Sequence, residues 1–507
     1  MKNFNIIRSI LIVLVVCSAY MGNGQERRAN IHDFNIESND FMKFTWENPA
    51  MLYFYPDSAY SDVALQWNQS KANGLYLIEK GDQQQQVNFD AQSFVRKKNS
   101  VLKGRASYHK GQSKHVKWNT VSDYDLVAPY VIADIVGGTA HSEGYLFEGG
   151  YTFKKDKVIG GVDVTYRTAD EYRKLDPRPK TNISDLHITV GGAYPINDQY
   201  YGGLHVTYND YQQEYEVKVF QPTGGIKVYY LGGMGISDAD LTSVVPSNDA
   251  PSNTYEQSAI SIGGQLHPST EEGLWGSLTY EQRSLKLKNS QLDLVRGLKS
   301  NNVTADLGWQ GKKENGDWKL KLVGEYKNQS GTEYNYENRK LVTKQTKYNN
   351  DCWNGKLSWM NRYFKKSSMH FWQATVEIDH ANAEYKAVQL SSQALQKYDN
   401  VGGSLSGGVN KQYPHGALNV KLKGGYRINL NKEIKLAADA ASGANETLVK
   451  PNYEYLTSDR GEVSFNIRYD FDTGKEYNLY VKTMPSAIIY PGEKHTYGFQ
   501  LAVGLTL

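Results

Sequence analysis

From His495 to the last residue the chain alternates without a break: His495, Tyr497, Phe499, Leu501, Val503, Leu505 and Leu507 on one face, Thr496, Gly498, Gln500, Ala502, Gly504 and Thr506 on the other. Period two is a strand, and a greasy face opposite a small or polar one suits a sheet with lipid outside and water or side chains inside. The pattern recurs upstream in Tyr145, Phe147, Gly149, Tyr151 and Phe153, in Val158, Gly160, Val162, Val164 and Tyr166, and in Leu186, Ile188, Val190, Gly192 and Tyr194. Further segments follow at 260–266, 274–280, 303–309, 320–326, 401–409, 418–426 and 463–471, several ending in Tyr or Trp. The links between them run short, then long, then short, which is the meander of an up-and-down barrel.

The short links at 97–100, 154–156, 195–198, 314–317, 414–416 and 472–474 are built of Asn, Asp, Gly, Pro, Lys and other turn-compatible residues. Such residues supply the backbone angles of tight hairpins. The long links fall at 110–142, 168–184, 214–256, 287–301, 330–351, 382–399, 430–461 and 484–494. Bacterial barrels keep short turns in the periplasm and long loops outside. The expectation is therefore an all-β fold, a transmembrane antiparallel up-and-down β-barrel of about 18 strands within a range of about 14 to 18. Its first strand lies near Tyr60–Asn68, both termini face the periplasm, and the strand-like piece Ile226–Leu231 belongs to a loop.

The N-terminus agrees with export. Lys2 and Arg8 precede an apolar run from Ile10 to Val16, and small residues lead to a cut between Gly24 and Gln25, the layout of a secretory signal peptide. Val16 stands before Cys17 where a lipid-modified cysteine needs a small residue, which disfavours a lipoprotein. Three segments follow: a signal peptide at 1–24, a periplasmic or plug segment at 25–57 that lacks period-two alternation, and an outer-membrane barrel at 58–507. Removing residues 1–24 lowers the basic count from 57 to 55 against 54 acidic residues, a mature charge of +1. That balance gives no electrostatic case for a nucleic-acid partner. A mean hydropathy of −0.60 is compatible with a barrel, whose strands carry a weak hydropathy signal.

Tyrosine is abundant, 38 against 15 Phe and 9 Trp, and amphipathic rings gather at membrane interfaces. Glycine pairs recur at 149/150, 160/161, 191/192, 202/203, 263/264, 402/403, 407/408 and 424/425. They read as devices that bend strands and admit neighbouring rings. No helical pattern follows them, so a phosphate cradle is not expected.

Several runs carry a resemblance: Trp46-Glu47-Asn48-Pro49-Ala50; Gly104 to Gly111 followed by Trp118-Asn119; Ser122-Asp123-Tyr124 leading to Pro129 to Asp134 and Gly137-Gly138; Ser184-Asp185-Leu186; and Val190-Gly191-Gly192. Together they resemble the DUF6850 family, outer-membrane barrels of Bacteroidota with no established activity. The Asn-Pro-Ala run is also similar to the start of fatty-acid-transporter-type barrels. The resemblance implies a barrel and carries over no catalytic or ligand residues.

Chemical motifs are sparse. Cys352 is the only mature cysteine, so no internal disulfide forms. The eleven histidines show no HExxH and no metal spacing, and no metal, cofactor or catalytic residue is expected. His141 with Glu143, and His380 with Asp379 and Glu384, come nearest to a ligand group; solvated loop or lumen positions explain them more simply. Lys110, Lys114, His115 and Lys117 beside Trp118, Tyr124 and Tyr130 could hold an anionic sugar or another polar ligand at the surface, or face anionic lipids. The run Gln83–Gln86 reads as a polar linker. The expected function is transport-class, a channel or solute hand-over across the outer membrane, with no enzymatic activity. The alternative is a non-conducting barrel that anchors or partners a surface lipoprotein or a TonB-dependent receptor, and a barrel-rim hydrolase ranks below both. Expected partners also include outer-membrane lipids and the barrel-assembly machinery.

Overall fold

A computed structural model describes residues 40–56, 59–220, 225–238, 241–245, 252–337, 340–386 and 393–507. The signal-peptide expectation at 1–24, and the part of 25–57 before residue 40, lie outside the described residues. In chain order the strands are β1 (Ala59–Asn73), β2 (Gln83–Lys97), β3 (Ser100–Val116), β4 (Ile132–Ala133), β5 (Gly138–Lys155), β6 (Val158–Arg173), β7 (Arg178–Pro195) and β8 (Tyr200–Lys218). Next come β9 (Ile226–Gly233), β10 (Ile236–Ser237), β11 (Ser243–Val245), β12 (Ser252–Pro268), β13 (Gly273–Lys288), β14 (Leu294–Lys313), β15 (Gly316–Glu337) and β16 (Lys340–Lys365). The last are β17 (Ser368–Lys386), β18 (Gln393–Tyr413), β19 (Gly416–Lys435), β20 (Arg460–Asp472), β21 (Asn478–Ile489) and β22 (His495–Thr506).

Among the described residues, eighteen of these strands form one sheet in which each pairs antiparallel with its neighbours along the barrel. The sheet closes on itself where β22 pairs with β1, from Asp62 opposite Thr506 to Asn73 opposite His495. Closure leaves no edge and pairs the backbone polar groups at membrane depth, as a β structure in lipid requires.

Outward-facing apolar residues form a continuous belt. On β15 it runs through Trp318, Leu320, Leu322, Gly324 and Tyr326; eight residue steps at about 3.3 Å, tilted about 40°, give roughly 20 Å of height, close to the apolar band of an outer-membrane barrel. Exposed rings mark its two rims: Tyr166, Tyr208, Tyr280, Tyr326, Trp353 and Tyr426 toward the long loops, and Phe153, Tyr194, Trp309, Tyr363, Trp372 and Phe471 toward the short turns.

The strands continue far beyond the belt. β16 has 26 residues, where a tilted crossing needs about 9 to 11. Outside lipid both faces of a strand can be polar, so the alternation fades although the ladder continues. This corrects the long loops expected from sequence: 110–142 contracts to the gap between Val116 and Gly138, and 430–461 to the gap between Lys435 and Arg460. The run Gln83–Gln86 is likewise no linker but the opening of β2, paired with β1 and β3.

Candidate functional site in the barrel lumen

The N-terminal segment lies inside the barrel at the short-turn end. Two 3-10 turns, Lys43–Glu47 and Pro49–Phe54, meet at Asn48. Pro49 suits the first position of such a turn because its missing N–H is not needed there, and Asn48 Oδ1 accepts from the Ala50 N–H at 2.9 Å. The other end of the Asn48 amide grips the wall: Nδ2 donates to Gln265 Oε1 at 3.0 Å, to the Leu204 carbonyl at 3.3 Å and to the Gly192 carbonyl at 3.4 Å.

Three glycines make room for this wedge. A Cβ on Gly161 would lie 2.7 Å from the Pro49 carbonyl carbon, one on Gly191 would run into the Asn48 side chain, and one on Gly203 would meet Asn48 Nδ2 and Met51. The doublets at 160/161, 191/192 and 202/203 thus do more than relax curvature. The inward member of each seats the segment.

Thr152 Oγ1 donates to the Pro49 carbonyl at 2.6 Å, and Arg96 donates to the carbonyls of Tyr53 and Tyr55. Lys321 donates to the Phe41 carbonyl, while Phe41 and Met42 pack with Trp275 and Met360.

Glu47 gives this closure a pH dependence. The Glu47 side chain stays open to the lumen, but partial desolvation by the surrounding wall, then the charge of Asp306, push its carboxyl up to about 7; Glu281 and Glu325 add to the rise and Lys43 opposes it. A group whose docked pKa is raised contributes docking stability that is full below its ordinary value, about 4.5, and is lost as pH rises through about 7. Protease cleavage within 40–56 is expected to be faster at about pH 8 than at about pH 5.5. Glu47→Gln should flatten the difference; a wild-type rate independent of pH would contradict the assignment.

At the opposite end, the segments 117–137, 225–238, 241–245 and 436–459 fold together as a cap. Strand β9 pairs with β4, β10 and β11 in a small sheet of its own, so Ile226–Leu231 lies outside the barrel wall as expected. Val127, Tyr130, Ile132, Val228 and Ile236 pack against Tyr215, Tyr255, Leu285, Tyr348 and Tyr385 of the wall in one buried cluster.

Buried ion pairs pin the cap. Arg173 meets Asp134 at 2.7 Å with side chains 3% and 0% exposed, and it also donates to the Asn119 carbonyl. Arg296 pairs with Asp238 beside Glu333, which takes Lys347 at 2.8 Å and the Tyr385 hydroxyl at 3.1 Å. Polar bonds tie the β19–β20 connection to nearby parts of the mouth: Asn452 donates to Glu79 between β1 and β2 at 2.6 Å, and Tyr453 donates to the Lys397 carbonyl of β18 at 2.7 Å. Burial pushes the Glu79 carboxyl above its ordinary range, partly offset by hydrogen bonds from its own backbone and Asn452.

Beneath the cap is a cavity of about 480 Å³. Its roof includes Glu79, Lys80, Asn119, Asp123, Tyr124 and Asp125; its wall includes Arg167, Glu171, Asp185, His187, Asn209, Gln257 and Arg283. Arg167 ties roof to wall, reaching Asp123 at 2.6 Å and Asp185 at 3.1 Å.

The two halves of the lumen differ. Where the N-terminal segment packs, Thr189, His205, Gln265, Ser277 and Asp306 are buried. On the wall from β16 round to β2, the inward side chains of Lys356, Gln373, Thr375, Lys423, Gln66 and Gln86 remain partly or fully accessible.

The residues singled out in the sequence scatter. Glu143 accepts from Tyr108 and Lys110 rather than joining His141, whose ring stacks on Tyr172. His380 pairs with Asp399 at 2.5 Å and stacks on Trp353, while Asp379, on the opposite face, holds Arg427 and Glu384 holds Lys386. No group of three or more candidate metal ligands occurs among the described residues. The basic and aromatic surface imagined around 110–130 does not form: Lys110 and Lys114 belong to β3, and Trp118 and Tyr130 are buried in the cap. Period-two reasoning missed Asn48, Gln257 and Arg283; the inward parity of Gln257 and Arg283 was the available signal.

The family of unknown function DUF6850 matches this chain over residues 49–507, from the first residue of the second inner turn through the closing strand. The chain belongs to that family. No curated protein matches this DUF6850 chain in sequence. Solved structures similar to it include the ferric preacinetobactin receptor BauA of Acinetobacter baumannii (8% identity, TM-score 0.36, covering 88% of this chain and 80% of that one). The siderophore receptor PiuA of the same organism is similar at 8% identity and TM-score 0.39, covering 89% and 82%. The copper transporter OprC is similar at 6% identity and TM-score 0.40, covering 88% and 80%.

Proposed function

We propose that this DUF6850 chain is an exported, transport-class outer-membrane barrel in which a small solute moves along the polar wall from β16 round to β2, with the N-terminal segment and the cap as its two closures. The observation that carries this reading is the unequal filling of the lumen. A barrel serving only as a scaffold has no need of accessible inward lysine and glutamine side chains along one wall while buried polar residues pack against an inner segment on the other. The short turns face the periplasm, so the N-terminal segment enters from that side.

Planar-bilayer recording tests the reading. The full chain is expected to give no steady large steps, because both ends of the lumen are occupied. Deletion of residues 25–57 combined with Asp134→Ala, which loosens the cap, is expected to give steady steps, and liposomes carrying that variant should swell in small sugars. A silent double variant would remove the basis of the proposal.

The folded cap favours a second reading, a barrel that partners a surface lipoprotein or a TonB-dependent receptor, since packed loops present a fixed outer surface. Pull-down from native membranes is expected to recover a stoichiometric partner in that case, and recovery of none would count against it.

A further inference from the structure

The cavity beneath the cap contains polar groups that the fold leaves open. Gln257 is 4% exposed, and its Nε2 donates to Asn209 Oδ1 at 2.9 Å, yet its Oε1 accepts no hydrogen bond among the described residues. Arg283 gives Nη2 to Glu281 at 2.8 Å while its Nε donates to nothing among the described residues. The two are close: Arg283 lies opposite Ala259 on the neighbouring strand, two residues along from Gln257 on the same inward face. Diagonal neighbours of this kind are within reach of one small molecule. A buried acceptor left open is costly unless something fills it.

An open acceptor beside an open donor matches a hydroxyl, which accepts from one and donates to the other. The charge balance narrows the class. Glu79, Asp123, Asp125, Glu171 and Asp185 line the space against Lys80, Arg167 and Arg283. Arg167 is already divided between Asp123 and Asp185, and Lys80 is paired with Asp125 at 2.6 Å. An anion would meet surplus carboxylates, and Arg283 too is already paired, with Glu281 at 2.8 Å, so that only its Nε is left to donate. The Tyr124 side chain in the roof adds a ring for an apolar sugar face.

Resting on the transport reading and adding its substrate class, we propose that this cavity binds a small hydroxyl-rich solute without net negative charge, one or two sugar rings in size. Its volume lies within the range of small-molecule sites. The solute's hydroxyls take up the Gln257 carbonyl and the Arg283 Nε, and its surrounding groups bond Asn209 and the roof.

The test is calorimetric titration of the purified full chain in detergent with maltose, with glucosamine, and with glucuronate as the anionic counterpart. Saturable binding of maltose or glucosamine is expected, with glucuronate at least about tenfold weaker and Gln257→Leu weakening the bound sugar at least about tenfold. Ser113→Tyr, which narrows the cavity from β3 without touching the open pair, should do the same and serves if Gln257→Leu does not fold. The proposal is overturned if neither sugar binds, if glucuronate binds as tightly, or if a folded variant binds unchanged. Because binding is read without passage, binding with no uptake defeats the transport reading alone. Uptake with no binding defeats the cavity alone.

Discussion

Asp134→Ala is expected to undock the cap from the barrel wall. Asp134 is fully buried, and its carboxylate holds both Arg173 and the Gly137 N–H, the latter at 2.7 Å. Removing it leaves the Arg173 guanidinium buried with the Asn119 carbonyl as its one remaining hydrogen-bond acceptor among the described residues and strips the turn before β5 of its acceptor. Breaking a buried pair from one side costs about 3–5 kcal/mol, more than a surface loop has in reserve. The measurable result is rapid proteolysis within 117–137 on a barrel that still runs as a folded species before heating. The double change Asp134→Leu with Arg173→Met, which removes both charges, should recover part of the loss. If Asp134→Ala is as protease-resistant as the wild type, the pair does not hold the cap.

Gly191→Val and Gly192→Val should behave oppositely although the residues adjoin. At Gly191 any Cβ runs into the Asn48 side chain, whereas at Gly192 the nearest atom to a new Cβ is the Ile159 carbonyl at 3.8 Å, ordinary contact. Gly191→Val therefore expels Asn48 and forfeits its bonds to Gln265, Leu204 and Gly192, about 2–4 kcal/mol of docking once the Gln265 Oε1 loses its donor. A cysteine placed at Met51, which is fully buried, should become accessible to a water-soluble thiol reagent in Gly191→Val and stay protected in Gly192→Val. Equal protection in both would show that the inner segment is held elsewhere.

These residues show what the sequence made legible. Alternation is imposed wherever one face of a strand meets lipid, so Tyr497 to Leu507, or Val158 to Tyr166, read plainly, and eighteen strands follow from counting such stretches. Beyond the rims that constraint ends. The upper parts of β15 and β16, with Asn328 opposite Asp351, Gln329 opposite Asn350 and Ser330 opposite Asn349, carry polar residues on both faces and resemble loop.

Inside the barrel the difficulty is different. The meaning of Gly191 depends on Asn48, that of Asp134 on Arg173, and that of Gln257 on Arg283, and such pairings exist only after the sheet has closed. The exchange of Trp118 and Tyr130 from a supposed surface patch to the cap core has the same origin. A loop rich in rings reads as exposed until another loop covers it.

The inner segment also carries information about the order of assembly. It precedes every barrel strand in the chain, yet the Asn48–Gln265 bond joins residues 217 apart and the Lys321–Phe41 bond residues 280 apart. Contacts of such separation form late, because the loop they close must first be ordered. The earliest described part of the polypeptide is thus among the last to find its place, and its arrival certifies that the wall as far as β15 already stands.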